Sequence, residues 1–211
     1  MNAALTRWGM ARFVMGLAAA CVAAAAAAAP VEVRVAAADG KALPGAVVFL
    51  EPRDGKPPPL PTSQVEIAQV DRRFVPEVSV VTVGSSVNFP NRDTVRHHVY
   101  SFSPTKKFEI KLYVGSPTAP VVFDKPGIAV LGCNIHDNMA AWVVVVDTPW
   151  WARSGADGRV SLPNVPAGRY KLRVWHAALP VGAAPSEQDL RVDQAAVQVH
   201  VALAALAGLS P

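Results

Sequence analysis

Gly132-Cys133-Asn134-Ile135-His136-Asp137-Asn138-Met139 sets a thiol, an imidazole and a thioether in one short segment, spaced Cys-x2-His-x2-Met. Soft sulfur and imidazole together suit copper in both of its oxidation states, and trigonal copper sites take one Cys and two His with a long, weak axial Met. The segment lies between two apolar runs, Ile128 to Cys133 and Trp142 to Val146, which read as consecutive strands. A loop of donors closing a pair of strands points to an all-β fold that carries its site at one end. A second His is still needed. Arg96-His97-His98-Val99-Tyr100, 36 residues upstream of Cys133 when counted from His97, is the best source.

Working outward to the N-terminus, Arg7 and Arg12 precede an Ala-rich apolar run from Phe13 to Ala29, with an Ala-x-Ala context just before Pro30. That is the layout of a cleaved secretory signal, so residues 1–29 are expected to be removed and the protein exported to the periplasm. Without that segment Cys133 is the only Cys and Met139 the only Met left. An exported chain with one thiol cannot form an internal disulfide, which turns attention to metal ligation.

The remaining composition excludes several classes. Removing Arg7 and Arg12 takes 20 Lys and Arg to 18 against 16 Asp and Glu, a net charge of +2, with no basic tract to meet nucleic acid. No transmembrane span is expected once the leader is gone. Nineteen Pro, fourteen Gly and Val-rich alternating runs predict β-sandwiches. Val31 to Val35 and Ala46 to Leu50 read as a hairpin across Asp39 to Gly45. Gly55-Lys56-Pro57-Pro58-Pro59-Leu60-Pro61 then reads as a stiff connector. Strand follows strand from Val65 to Asp147. Beyond Trp150-Trp151, Val160 to Leu162 is expected to pair with Tyr170 to Val174, with Val197 to Val201 completing that sheet. The predicted organisation is a leader over 1–29, a first part of an outer sandwich over 30–60, an inner sandwich over 61–148, and the second part of the outer sandwich with the tail over 149–211.

The stretch from Phe123-Asp124-Lys125-Pro126-Gly127 through Cys133, His136 and Met139 to Val146 resembles the C-terminal half of a plastocyanin-type cupredoxin, and its short His-to-Met gap is similar to that of amicyanin. Arg96-His97-His98-Val99 resembles the family's Pro-His-Asn-Val. The resemblance implies a Greek-key β-sandwich with His97, Cys133, His136 and Met139 as ligands of one type 1 copper ion. The chain departs from the family pattern at Asp137, where amicyanin has Pro, and at His98, where the family has Asn. Asp39 to Ala46 and Ala156 to Tyr170 resemble the two ends of a carboxypeptidase-regulatory or prealbumin-like sandwich, also classed as carbohydrate-binding-like. The whole is similar to periplasmic methylamine-utilisation or plastocyanin-like proteins.

Adjacent residues of a strand point to opposite faces, so only one of His97 and His98 can meet the other donors. The resemblance favours His97. Four donors leave no open coordination position, so the chain is expected not to be an enzyme and to carry single electrons to an unnamed redox protein. A periplasmic copper carrier is the alternative, as is a sugar-binding sandwich that uses Trp150 and Trp151 and a secondary metal site. The outer sandwich is a possible contact for a glycan or a protein.

Overall fold

The computed structural model describes residues 28–206 except 56, 59 and 63. The expected leader therefore lies outside the described residues apart from Ala28 and Ala29, as does the tail beyond residue 206. Among the described residues no helix is long and apolar enough to cross a membrane.

The chain is all β. It opens with β1 (Ala28–Ala37) and β2 (Val47–Pro52). The middle holds β3 (Val65–Glu66), β4 (Ala68–Val70), β5 (Arg73–Val75), β6 (Val78–Thr82), β7 (Ser85–Asn88), β8 (His97–Ser103), β9 (Lys106–Tyr113), β10 (Val121–Phe123), β11 (Gly127–Gly132) and β12 (Ala140–Val146). It ends with β13 (Trp151–Arg153), β14 (Arg159–Pro166), β15 (Gly168–Trp175), β16 (Ser186–Val192) and β17 (Val197–Leu203), followed by a 3-10 turn at Ala204–Leu206.

The middle strands form a five-stranded sheet in the order β6-β12-β11-β8-β9 and a smaller sheet in the order β10-β7-β3, with β4 and β5 as a separate hairpin. Val81, Val87, Phe89, Val99, Phe123, Leu131 and Val143 fill the space between them. The first and last strands pair with each other instead. One sheet runs β14-β1-β17 and the other β13-β2-β15-β16, so each combines strands from both ends of the chain. Val31, Val33, Val35, Leu50, Leu162, Leu172 and Val174 make their core.

Two expected pairings are corrected. β1 and β2 lie in different sheets and form no hairpin, and the same holds for β14 and β15; β17 pairs in parallel with β1. A period of two reports which face of a strand is buried, and it reads the same whether the next strand lies beside it or across the core. Asp39 to Gly45 and Pro166 to Gly168 cross between the two sheets of the sandwich.

β12 is buried on both faces. Ala141, Val143 and Val145 face the inner core, while Val144 and Val146 join the outer core with Trp142 packed against it. This is why Ala140 to Val146 reads as a continuous apolar run rather than an alternating one. The outer sandwich sits against that face of the inner sheet.

Candidate metal centre

β11 and β12 are antiparallel neighbours whose last paired residues are Gly132 and Ala140. Cys133 and Met139 are the next residues on either side, so the register sets them at the two ends of one hairpin loop. A turn within that loop, in which the Met139 amide donates to the His136 carbonyl at 3.0 Å, lifts His136 to the middle. Cys133 and Met139 are buried, at 4% and 2% exposure, and belong to the same apolar cluster. Cys133 is a free thiol.

β8 supplies the third group. His97 is fully buried and its ring lies 5.1 Å from that of His136, centroid to centroid. His98 points the other way, with its ring 5.5 Å from Tyr100 and Nε2 at 2.9 Å from the Glu109 carboxylate on β9. Of the two adjacent histidines, His97 is the one that meets Cys133 and His136. One donor atom from each of these three residues lies within 4.8 Å of the others. Met139 lines the same cavity wall as Cys133.

An aspartate that the sequence reading passed over holds His97 in place. His97 Nε2 lies 2.6 Å from Asp93 Oδ2. The same carboxylate accepts the backbone N–H groups of Asp71 at 2.7 Å and Arg72 at 2.9 Å. Asp71 and Arg72 are the two central residues of the β4–β5 hairpin and both have positive φ, 50° and 58°, as a type I′ turn requires. Burial alone would raise the Asp93 carboxyl, but the Arg72 amide, the His97 ring and the Asp71 amide outweigh it and hold Asp93 below the usual aspartate value. Asp93 is therefore a carboxylate and Nε2 of His97 is the donor, which leaves Nδ1 as the ring nitrogen turned to the other donors. Asn91 anchors this loop in turn, accepting the Asp93 amide and donating to the carbonyls of Val95 and Tyr113. No spacing marks Asp93 in the sequence; the one general pointer is that a metal-ligating His usually gives its other ring N–H to a carboxylate, a backbone carbonyl or water.

Nδ1 of His97 and Nδ1 of His136 are both buried and have no hydrogen-bond partner among the described residues. A buried polar atom left without a partner costs about 1–3 kcal/mol, so two converging on one thiol are a fit for a bound cation. Two imidazoles, a thiolate and a nearby thioether form a donor set that suits copper.

No family model and no curated protein matches the chain. Among solved structures it resembles a copper-containing nitrite reductase from Thermus scotoductus at 24% identity and a TM-score of 0.38, over 46% of this chain and 25% of that one. A purple cupredoxin from Nitrosopumilus maritimus shares 20% identity at a TM-score of 0.35, over 39% of this chain and all of that one. A reduced Cu(I) form of an amicyanin variant shares 19% identity at a TM-score of 0.34, over 44% and 97%. The chain thus spans a quarter of the nitrite reductase. The expectation that it is not an enzyme is corrected by that likeness. Four expected donors at one centre limit chemistry at that centre alone, and the nitrite reductase is an enzyme. The middle strands, two facing sheets with the His97, Cys133 and His136 donors gathered at one end, form a cupredoxin-like domain.

Proposed function

We propose that the chain is a periplasmic type 1 copper protein that passes single electrons between redox partners, with His97, Cys133, His136 and Met139 as the copper ligands. The observation that carries this reading is the convergence of His97, Cys133 and His136 within 4.8 Å, with both Nδ1 atoms unpartnered. Bound copper supplies a one-electron couple between Cu(I) and Cu(II). The chain's own residues supply placement. Asp93 fixes the tautomer and tilt of His97, the β11–β12 register sets Cys133 against Met139, and burial of both sulfurs keeps water from them. His136 is only half-buried and stands next to Ile135, which is 48% exposed, so this edge of the site is where a redox partner reaches it.

Burial of the two sulfur donors gives less support to the copper-carrier alternative, which calls for donors that a recipient can reach. Trp150 and Trp151 are half-buried, and Trp150 packs edge-on against Tyr170 at 5.7 Å, which favours packing over a sugar platform.

The test is the visible and EPR spectrum of the exported chain with one equivalent of Cu(II), beside Cys133→Ser. An intense thiolate-to-copper band with narrow copper hyperfine splitting, lost in the variant, is the expected result. A weak tetragonal spectrum that the variant leaves unchanged would overturn the proposal.

A further inference from the structure

The metal loop has a second neighbour. Between the outer face of β8, β11 and β12 and the strands β2 and β15, with the Pro180 to Pro185 segment as a rim, lies a cavity of about 800 Å³. Cys133, Asp137 and Met139 line it on the side of the metal loop. Its walls are largely aromatic and aliphatic, with Tyr100, Phe102, Trp142, Trp175, Ile128 and Val181 among them. Phe102 and Val181 are 73% and 75% exposed and leave the cavity open to solvent on that side.

The walls also say what would fill it. Their volume and apolar character are those of small-molecule sites, which run from about 300 to 1,000 Å³. Two of the charged lining groups are already paired: Arg173 Nε donates to Glu51 at 2.9 Å, and its Nη1 is held by Glu187. Asp137 is the charged lining group with no hydrogen-bond or ion-pair partner among the described residues, and it offers an acceptor. Its charge disfavours an anion. A flat ring would stack on the aromatic walls, and a hydroxyl on that ring would donate to the exposed Asp137 carboxylate in place of water.

Tyr100 ties the cavity to the metal loop. A Cβ on Gly132 would fall 2.7 Å from Tyr100 Cζ, so the absence of a side chain there lets the ring lie directly on the backbone that precedes Cys133. The rings of His98, Tyr100 and Phe102 follow one another at 5.5 and 5.0 Å along one face of β8, ending at exposed Phe102.

We propose that this cavity is a binding site for a small, uncharged aromatic molecule bearing a hydroxyl group, which it seats against the Cys133–Met139 loop. Its importance for electron exchange rests on the copper reading; binding itself does not.

The experiment titrates the metal-free, ¹⁵N-labelled exported chain with 2-naphthol and, separately, with 2-naphthoate. Saturable shifts at the Trp142 and Trp175 indole N–H and the Gly132 amide are expected for 2-naphthol, at an affinity about tenfold above that for the anion. Val181→Asp and Phe102→Ala, both at exposed positions that do not threaten folding, are each expected to weaken 2-naphthol binding about tenfold. Absence of saturable shifts, equal affinity for both probes, or binding that neither variant changes would overturn the proposal. Copper spectra recorded on the same preparations separate the two readings. Binding without a type 1 spectrum supports the cavity and removes its link to electron exchange, while a type 1 spectrum without binding sinks the cavity alone.

Discussion

Replacing Asp93 tests whether the metal centre is built before any metal arrives. In Asp93→Ala three donors lose their acceptor: the ring N–H of His97 and the amides of Asp71 and Arg72. The two amides sit on an exposed hairpin tip, where water replaces the carboxylate, and each loss is small. His97 is fully buried, so its N–H is stranded, at a cost of about 1–3 kcal/mol. With the two charge-assisted amide bonds added at a discount, the metal-free protein should lose about 3 kcal/mol. For a chain of this size that lowers Tm by about 6–12 °C. Removing such a carboxylate from behind a ligating His also costs about 10–100-fold in metal affinity. Asp93→Asn keeps one acceptor oxygen and should recover part of both losses. Urea unfolding of the reduced, metal-free protein measures the first quantity and competition with a copper chelator the second. An Asp93→Ala protein with wild-type midpoint and wild-type copper affinity would refute the reasoning that His97 is held in place through its far nitrogen.

Two further outcomes follow from local geometry. Arg72 occupies a left-handed position with φ of 58° at an exposed tip, where glycine meets no steric cost, so Arg72→Gly should raise stability by about 0.5–1 kcal/mol in the same urea assay. Tyr113 is pushed up to about 12, first by burial, and its hydroxyl donates to the Phe89 carbonyl at 2.6 Å. Its folded value lies above the unfolded value of 10, so the stability it contributes is fully present below pH 10 and falls away as pH rises toward 12. Ultraviolet titration should show Tyr113 ionising last or only on unfolding, and Tyr113→Phe should flatten the alkaline loss of stability.

The parts of the molecule that could be read in the sequence are those where chemistry is concentrated in few residues. Cys133, His136 and Met139 share one loop, and their donor types admit few roles. Strand alternation said only that His97 and His98 face opposite ways, which the structure follows even though β8 has an irregular register between His97 and Val99; the choice of His97 rested on the resemblance. Asp93 was passed over because a lone Asp in a polar loop looks like any solvated turn residue until the fold brings the β4–β5 tip to it. Strand partners in the outer sandwich were misjudged for a different reason. Val31, Val33 and Val35 declare a buried face, yet nothing in that pattern tells whether β2 lies beside β1 or across the core. Pairing over more than a hundred residues, as between β1 and β14, leaves no local trace.

The two-sided burial of β12 joins the outer sandwich to the metal loop. Val143 and Val145 are fixed in the inner core and Val144 and Val146 in the outer one, so β12 cannot slide or tilt without opening a void on one side or the other. Interiors packed at crystal-like density resist such shifts. β11 is held to β12 along six paired residues, and β6 runs beside β12 in parallel over five more. Cys133 and Met139 stand where this doubly buried hairpin ends, and His97 is clamped from behind by Asp93. A donor set fixed from three directions changes little in shape when its charge changes. That property would serve the proposed single-electron exchange, and it gives the outer sandwich a physical task, since without it Trp142, Val144 and Val146 would face water and β12 would be braced on one side only.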